Sequence, residues 1–352
     1  MRVETLSEER GGHVSNDLHY FVNTNSCEGF FSFFKSNFSP LALTVKLEDY
    51  PAPLLETVTS QILHTAKEGG YKTEVIHNCL DNTVEGVILP QFGTGLLNIP
   101  AYIDYGYNVS KLIDDEAVRE TKSHLIQSHR YFAQAKKIHD DWEKIYIEHS
   151  NYAALNQFTQ EKILELLGSH TQNRKGSAVH RFFGAATEEG AVDYIDNLTE
   201  GVAKRYLIKG RPGTGKSTFL KKLAERAVQN GFDVEVYHCA FDPRSLDMVV
   251  VRALEFCIFD STAPHECFPQ RDSDEILDFY EIGVAEGTDE IHGSELKALA
   301  DGYKEQMEQG RLEIAAANQV RLEREGLLFG QINPAKAEQV MEKIEKKLFR
   351  KG

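Results

Sequence analysis

The chain has 352 residues, 41% of them hydrophobic and 26% charged, which is typical of a globular protein and long enough for two domains. Its formal net charge of −15 makes nucleic acid an unlikely main partner, because phosphate contacts need clustered Lys and Arg. Residues 1–17 lack the apolar stretch of a signal peptide, and no run of apolar residues is long enough to span a membrane. We therefore expect a cytoplasmic protein without a membrane partner.

The sequence resembles itself at an offset of 161 residues. About one position in five is identical over about 70 gap-free positions, against roughly one in fifteen expected from residue frequencies. The identical pairs include His19/His180, Phe21/Phe182, Gly29/Gly190, Gly70/Gly231, His77/His238 and Asp81/Asp242. We interpret this as a tandem duplication, with a first domain at 17–170 and a second at 177–352. The polar segment 170–176 between them has no periodic pattern.

Each half ends in polar sequence that favours helices. Residues 115–170 carry long amphipathic stretches, and residues 293–349 have a similar character, with Asn333 and Pro334 expected to divide the latter into a helical hairpin. We interpret both as helical C-terminal extensions that pack beside a sheet, with a partner-binding arm as the alternative.

The second half gives the clearer pattern of strands and helices. Thr187 is expected to cap a helix at 193–198, residues 206–209 form a buried strand, and 217–229 form a helix that ends before Gly231. Residues 234–239 and 254–260 are predicted to be the next two strands. Strands that alternate with helices indicate an α/β fold with a parallel sheet. The acidic segment 271–295 is predicted to be a solvated loop, or else a lid.

A phosphate-binding loop follows the first of these strands. The segment GRPGTGKST fits the pattern GxxxxGK[ST], and it lies between an apolar strand and an amphipathic helix as that motif requires. Its residues are predicted to bind ATP: Gly210, Arg211, Pro212, Gly213, Thr214, Gly215, Lys216, Ser217 and Thr218. Lys216 is expected to reach the β- and γ-phosphates, and the Ser217 hydroxyl to ligate Mg²⁺.

Two acidic residues at strand ends complete the predicted site. Asp260 ends an apolar strand, where it is expected to hold Mg²⁺, although it could instead cap its own loop. Asp242 follows the preceding strand and is a candidate base or water-positioning acid. Ser261 and Thr262 follow Asp260 where many ATP hydrolases carry a Glu, so efficient autonomous hydrolysis is in doubt.

The first half has lost these residues. At the 161-residue offset Asp49 replaces Gly210, Leu55 replaces Lys216 and Glu56 replaces Ser217. The acids in this segment are expected to repel a triphosphate. We therefore predict that the first half keeps the fold without the chemistry, as a scaffold or as half of a pseudo-dimer.

With these motifs, the chain resembles an uncharacterised bacterial family of tandem-duplicated P-loop ATPases. The family pattern is hFxxxxTxxG, GxPGTGKST, HCxxDxxSLD and DxTAPH, which matches residues 182–190, 210–218, 238–247 and 260–265. The resemblance covers nearly the whole chain and implies ATP binding and ATP hydrolysis, without naming a substrate. The first half departs from it because it lacks the loop.

Three hypotheses for the function follow. The first is an ATP-binding P-loop NTPase whose turnover drives a conformational change or a partner. The second is a small-molecule or nucleotide kinase, for which the missing Glu after Asp260 and the position of Asp242 argue. The third is a non-catalytic ATP sensor. The phosphate acceptor or protein partner is not specified by the sequence.

Overall fold

A mixed sheet of eleven strands is the centre of the fold in the computed structural model, which describes residues 17–103 and 115–350. The predicted absence of a signal peptide concerns a segment that, apart from Asp17, lies outside these residues. Among the described helices, none combines the length and apolar character that a bilayer crossing needs.

The first half runs through seven strands and four helices in the described residues. In chain order these are β1 (Asp17–Phe21), β2 (Asn23–Ser26), β3 (Gly29–Ser32), α1 (Phe34–Phe38), β4 (Leu43–Glu48), α2 (Ala52–Glu68), β5 (Thr73–His77), β6 (Val84–Leu89), β7 (Thr94–Ile99), α3 (Glu116–Glu148) and α4 (Tyr152–Leu167).

The second half repeats this order and adds three short elements. It contains β8 (Ala178–Phe182), β9 (Gly184–Thr187), β10 (Gly190–Asp193), α5 (Ile195–Thr199), β11 (Lys204–Lys209), α6 (Lys216–Gln229), β12 (Val234–His238), β13 (Leu246–Val251), β14 (Phe256–Asp260), β15 (Glu275–Asp278), α7 (Phe279–Gly283), α8 (Thr288–Ile291), α9 (Gly293–Phe329) and α10 (Pro334–Leu348). The strands β8 to β12 each begin 161 residues after β1 to β5.

The strand order is symmetric about the centre of the sheet. It reads β15–β11–β14–β13–β12–β8–β1–β5–β6–β7–β4, so the two halves run outward from β8 and β1 in the same order. Within each half the first strand is parallel to its neighbour, and β6 and β13 are antiparallel to both of theirs. The α/β fold is confirmed. The predicted parallel sheet is only partly correct, because β6 and β13 enter by tight antiparallel turns that the sequence analysis did not identify.

Three local predictions were wrong. Thr187 does not cap a helix, because it ends β9 and its hydroxyl donates to the Gly190 carbonyl across a hairpin. The last predicted strand begins at Phe256, two residues late, because Glu255 adopts a left-handed conformation after a short helical turn. The acidic segment 271–295 is not one loop: it contains β15, α7 and α8, and its Asp274 is paired with the buried Arg205.

The two halves meet at the edges of β1 and β8, which pair antiparallel only at Phe21 and Phe182. Farther along, helices of the opposite half complete the edges. The His19 amide donates to Asn197 Oδ1 of α5, at 2.8 Å, and the His180 amide donates to Ser36 Oγ of α1, also at 2.8 Å. The edge amides are therefore satisfied across the junction instead of by a longer ladder.

The C-terminal helices of the two halves are exchanged. Helix α4 belongs to the first half but packs in the core of the second, where Leu155 and Leu167 lie among residues of α6 and β11. Helix α10 belongs to the second half but places Ile344 and Leu348 in the core around β4, β6 and α2. The long helices α3 and α9 pack against each other. They are packing elements, as predicted. The expected break at Asn333 is also present, since Asn333 caps the start of α10, but α10 packs against α2, β4 and β7.

We expect this exchange to contribute measurably to stability. Leu155 is 4% exposed, and Leu155→Ala should lower the free energy of unfolding by about 2–5 kcal/mol by leaving a cavity. Leu164→Ala, on the same helix but 69% exposed, should change it by less than about 0.5 kcal/mol. Denaturant unfolding of both variants tests the expectation, and equal stabilities would contradict it.

Candidate functional site

The predicted phosphate loop connects the end of β11 to the start of α6. Gly213 and Gly215 have φ angles of 78° and 88°, in the left-handed region that favours glycine. A Cβ on Gly213 would lie 2.9 Å from the carbonyl oxygen of Glu143, so this position also has no room for a side chain. Pro212 is half-buried and Thr214 is fully buried in the loop, where the Thr214 hydroxyl donates to the Arg211 carbonyl.

The N-terminus of α6 presents free hydrogen-bond donors. Helix α6 has 14 residues, and Gly215 before it supplies no side-chain cap. Within the part of the chain that the structure describes, no protein group accepts from the backbone N–H groups of residues 215–218. These donors and the positive end of the helix dipole point to the same place, which is the arrangement that binds phosphate.

Lys216 and Asp260 lie beside this helix start. The Lys216 ammonium is 3.5 Å from Asp260 Oδ2 and donates to the Arg211 carbonyl at 3.2 Å. The other carboxylate oxygen of Asp260 accepts from the amide and the hydroxyl of Thr262. One oxygen of Asp260 therefore caps its loop, which was one of the two expectations for this residue. The other oxygen lies beside Lys216, and its predicted role in holding Mg²⁺ stays a prediction.

A second carboxylate, that of Asp247, interacts with the charge of Asp260. The Ser217 hydroxyl accepts from the amide of Leu246, the residue before Asp247. Burial, and next the negative charge of Asp260, raise the pKa of Asp247 to about 7, against the opposing effects of His265 and Lys216. Two carboxylates that interact in this way favour a divalent cation, because it would relieve their repulsion.

The rim of the loop is held by Arg211. Its guanidinium pairs with Asp289 at 2.7 Å and lies over the ring of Tyr280. Asp289 also accepts from the Tyr146 hydroxyl at 2.8 Å. Thr218 is exposed on the first turn of α6. The predicted loop residues are therefore together, with Arg211 directed towards the acidic segment that follows β15.

Helix α3 of the first half covers the loop of the second. Ile147 and the backbone of Glu143, both in α3, lie against Gly213. The hydroxyl of Tyr152, at the start of α4, donates to the Gly213 carbonyl at 3.1 Å. Burial raises the pKa of Glu143, whereas the ammonium of Lys216 is among the charges that lower it. The site is therefore built from both halves of the chain.

Asp242, the other predicted acid, contacts α3. Its carboxylate is 3.7 Å from the ammonium of Lys136 and also accepts from the Arg244 amide. On the same face of α3, side-chain atoms of His139, Asp140 and Glu143 lie within 4.8 Å of one another, as metal ligands can. Lys136 also pairs with Asp140, so an ammonium already balances part of that charge.

The corresponding place in the first half is closed by ion pairs. Asp49 pairs with Arg324 of α9 at 2.7 Å, so the acids are not left uncompensated as the sequence analysis assumed. The Glu325 carboxylate accepts from the Ala52 amide at the start of α2, at 2.8 Å. Arg321 pairs with both Asp81 and Glu325. A carboxylate of the protein itself thus caps the helix start to which a phosphate would have to bind.

The donor set in the second half fits a magnesium–triphosphate. Free amides and the Lys216 ammonium suit an anion, and the oxygens of Ser217, Asp247 and Asp260 are the ligand type that Mg²⁺ prefers. No protein-family model, curated protein or solved structure matches the chain. The resemblance to tandem P-loop ATPases therefore remains a prediction.

Sequence reasoning missed the contribution of α3 to this site. Lys136, His139 and Glu143 lie about 70 to 80 residues before the loop, in a segment whose pattern only indicates an amphipathic helix. No local signal distinguishes the residues on its buried face that meet the loop from those that meet α9.

Proposed function

We propose that this chain is an ATP-binding P-loop NTPase with one Mg²⁺–ATP site, in its second half. The observation that carries the proposal is the unpaired helix start of α6, with Lys216 beside it and Asp260 3.5 Å away. The glycine conformations at 213 and 215 support it, since they allow the backbone to turn around a phosphate.

In this proposal the backbone amides and Lys216 bind the phosphates, and Ser217 with Asp260 orients the metal. Bound Mg²⁺ would supply charge neutralisation on the phosphates. Asp247 would add a second carboxylate to the metal site, and Asp242 is the candidate base toward a water molecule or an acceptor hydroxyl. Turnover would then be transmitted through α3, which belongs to the first half and contacts the loop of the second half.

We also propose that the two halves are a tandem duplication of one P-loop domain. The matching strand order and the 161-residue offset support this. At that offset Asp49 corresponds to Gly210, and Asp81 corresponds to Asp242. The first half would then be the scaffold that supplies α3 and α4 to the active half. Partners are a nucleoside triphosphate and an acceptor or protein whose identity no contact of the chain specifies.

A kinase is the second candidate. Ser261 and Thr262 after Asp260, where many ATP hydrolases carry a Glu, together with Asp242 as a candidate base, favour transfer to an acceptor over rapid hydrolysis. Phosphate release without an acceptor supports the NTPase, and acceptor-dependent ADP formation supports the kinase. Tight binding without either supports an ATP sensor.

Lys216→Ala should weaken Mg²⁺–ATP binding by about 10- to 100-fold and leave the fold intact, because it removes one charge-assisted phosphate contact. Lys221→Ala, on the exposed face of the same helix, should bind like the wild type. Calorimetric titration compares the two variants. Equal affinities for both would exclude the phosphate-loop assignment.

Asp260→Asn and Ser217→Ala should each reduce the dependence of ATP binding on Mg²⁺, since both residues are proposed to hold the metal or its waters. Asp272→Asn makes the same change of charge as Asp260→Asn at an exposed position and should have no effect. The measurement is ATP affinity as a function of magnesium concentration. Curves identical to the wild type would leave Asp260 only its loop-capping role.

The full-length protein should bind one ATP per chain. The start of α2 is already capped by Glu325, and Leu55 stands where an ammonium would be needed. Calorimetry should give a stoichiometry near one for the wild type and no comparable binding for Lys216→Ala. Two equivalent sites would refute the loss of the first site.

A further inference from the structure

The ammonium of Lys136, a residue of α3 in the first half of the chain, lies beside Asp242, which follows β12 of the second half. It is 3.7 Å from Asp242 and also contacts Asp140. Its side chain is 27% exposed, so it is neither locked in the core nor free in solvent. Burial acts to lower the pKa of Lys136, but Asp140 raises it above its ordinary value, so the group stays charged.

Lys136 and Lys216 act on the same part of α3. Both ammonium groups help to lower the pKa of His139, after the larger effect of burial, and both oppose the raised pKa of Glu143. Lys136 lies two helical turns before Glu143 on the same face of α3. The Glu143 carbonyl oxygen would be 2.9 Å from a Cβ on Gly213, so this face of α3 meets the loop.

The first half has an equivalent cation that is fully engaged. Arg321 of α9 pairs with Asp81, which stands 161 residues before Asp242, just as Lys136 of α3 pairs with Asp242. Arg321 is buried and also bonds Glu325, whose carboxylate caps the start of α2. In the first half, Arg321 of α9 is thus paired with Glu325, whose carboxylate lies where a phosphate would bind.

We propose that Lys136 is a second phosphate-binding cation of the ATP site, supplied by the first half to the γ-phosphate held in the second. This inference rests on the proposed function. Among the described residues of the active half, no carboxylate corresponding to Glu325 caps the helix start, so the triphosphate takes that place and Lys136 moves from Asp242 to its terminal phosphate. The charges of Asp260 and Glu143 act near Lys216, and a second cation offsets their repulsion of the phosphates.

The test compares three full-length variants: Lys136→Gln, Lys136→Arg and Lys137→Gln. Lys137 is the next residue on α3 and is exposed, so its variant controls for the loss of one charge. The affinities for Mg²⁺–ATP and Mg²⁺–ADP are measured by calorimetry, and phosphate release or transfer is measured on the same samples. Unfolding curves establish that each variant is folded.

Lys136→Gln should weaken Mg²⁺–ATP binding about tenfold without changing the affinity for Mg²⁺–ADP, and should slow turnover by about 100-fold. Lys136→Arg should retain most of both properties, and Lys137→Gln should match the wild type. If Lys136→Gln does not fold, Asp242→Asn provides the second measurement: releasing Lys136 should strengthen the preference for ATP over ADP.

An equal loss of affinity for both nucleotides would overturn the inference, because it would mean that Lys136 only maintains the local structure. A Lys136→Gln variant identical to Lys137→Gln would also overturn it, as would an unchanged nucleotide preference in Asp242→Asn. In these cases the wild type still binds ATP and the proposed function stands. A wild type that binds neither nucleotide overturns the proposed function, and the inference with it.

Discussion

The open edges of β1 and β8 are the constraint on which the arrangement of the two halves depends. Strand β1 pairs in parallel with β5, and β8 pairs in parallel with β12. The other edge of each strand faces the opposite half, and its amides need hydrogen-bond acceptors. The two strands meet only at Phe21 and Phe182, so α5 and α1 of the opposite half supply the remaining acceptors. The buried pair of Arg181 and Glu74, at 2.7 Å, crosses the same junction. Each half therefore takes an acceptor for its strand at the junction from the other half.

The exchange of helices extends this dependence to the candidate site. Helix α4 completes the core around α6, and α3 lies on the loop that precedes α6. The loop geometry and the covering helix therefore come from different halves, and a movement of one half would reach the site directly through α3. The same arrangement on the other side places α9 over α2, where Arg321, Arg324 and Glu325 close the corresponding place in the first half.

The loop between β11 and α6 could be located from the sequence because its pattern is local. Three glycines, one lysine and one hydroxyl within nine residues, between an apolar strand and a helix, leave few other structures for that segment. Asp260 could be placed beside it because it ends the neighbouring strand. Asp242 was also expected there, and its expected role stays a prediction. Its contact with Lys136 could not be predicted, because no pattern near the loop points to that residue. The motif predicts the free amides at the start of α6, but it does not predict that α3 lies against the loop.

By itself the sequence determined the α/β class, the loop between β11 and α6, the internal correspondence at 161 residues and the helical extensions, since each depends on neighbouring residues or on one alignment of the chain with itself. Only the tertiary structure decided that β6 and β13 run antiparallel, that α4 and α10 exchange halves, and that α3 reaches the loop. An amphipathic pattern specifies that a helix buries one face, but not which surface it is buried against. The junction of β1 and β8 holds the two halves side by side, so helices of one half lie against the other.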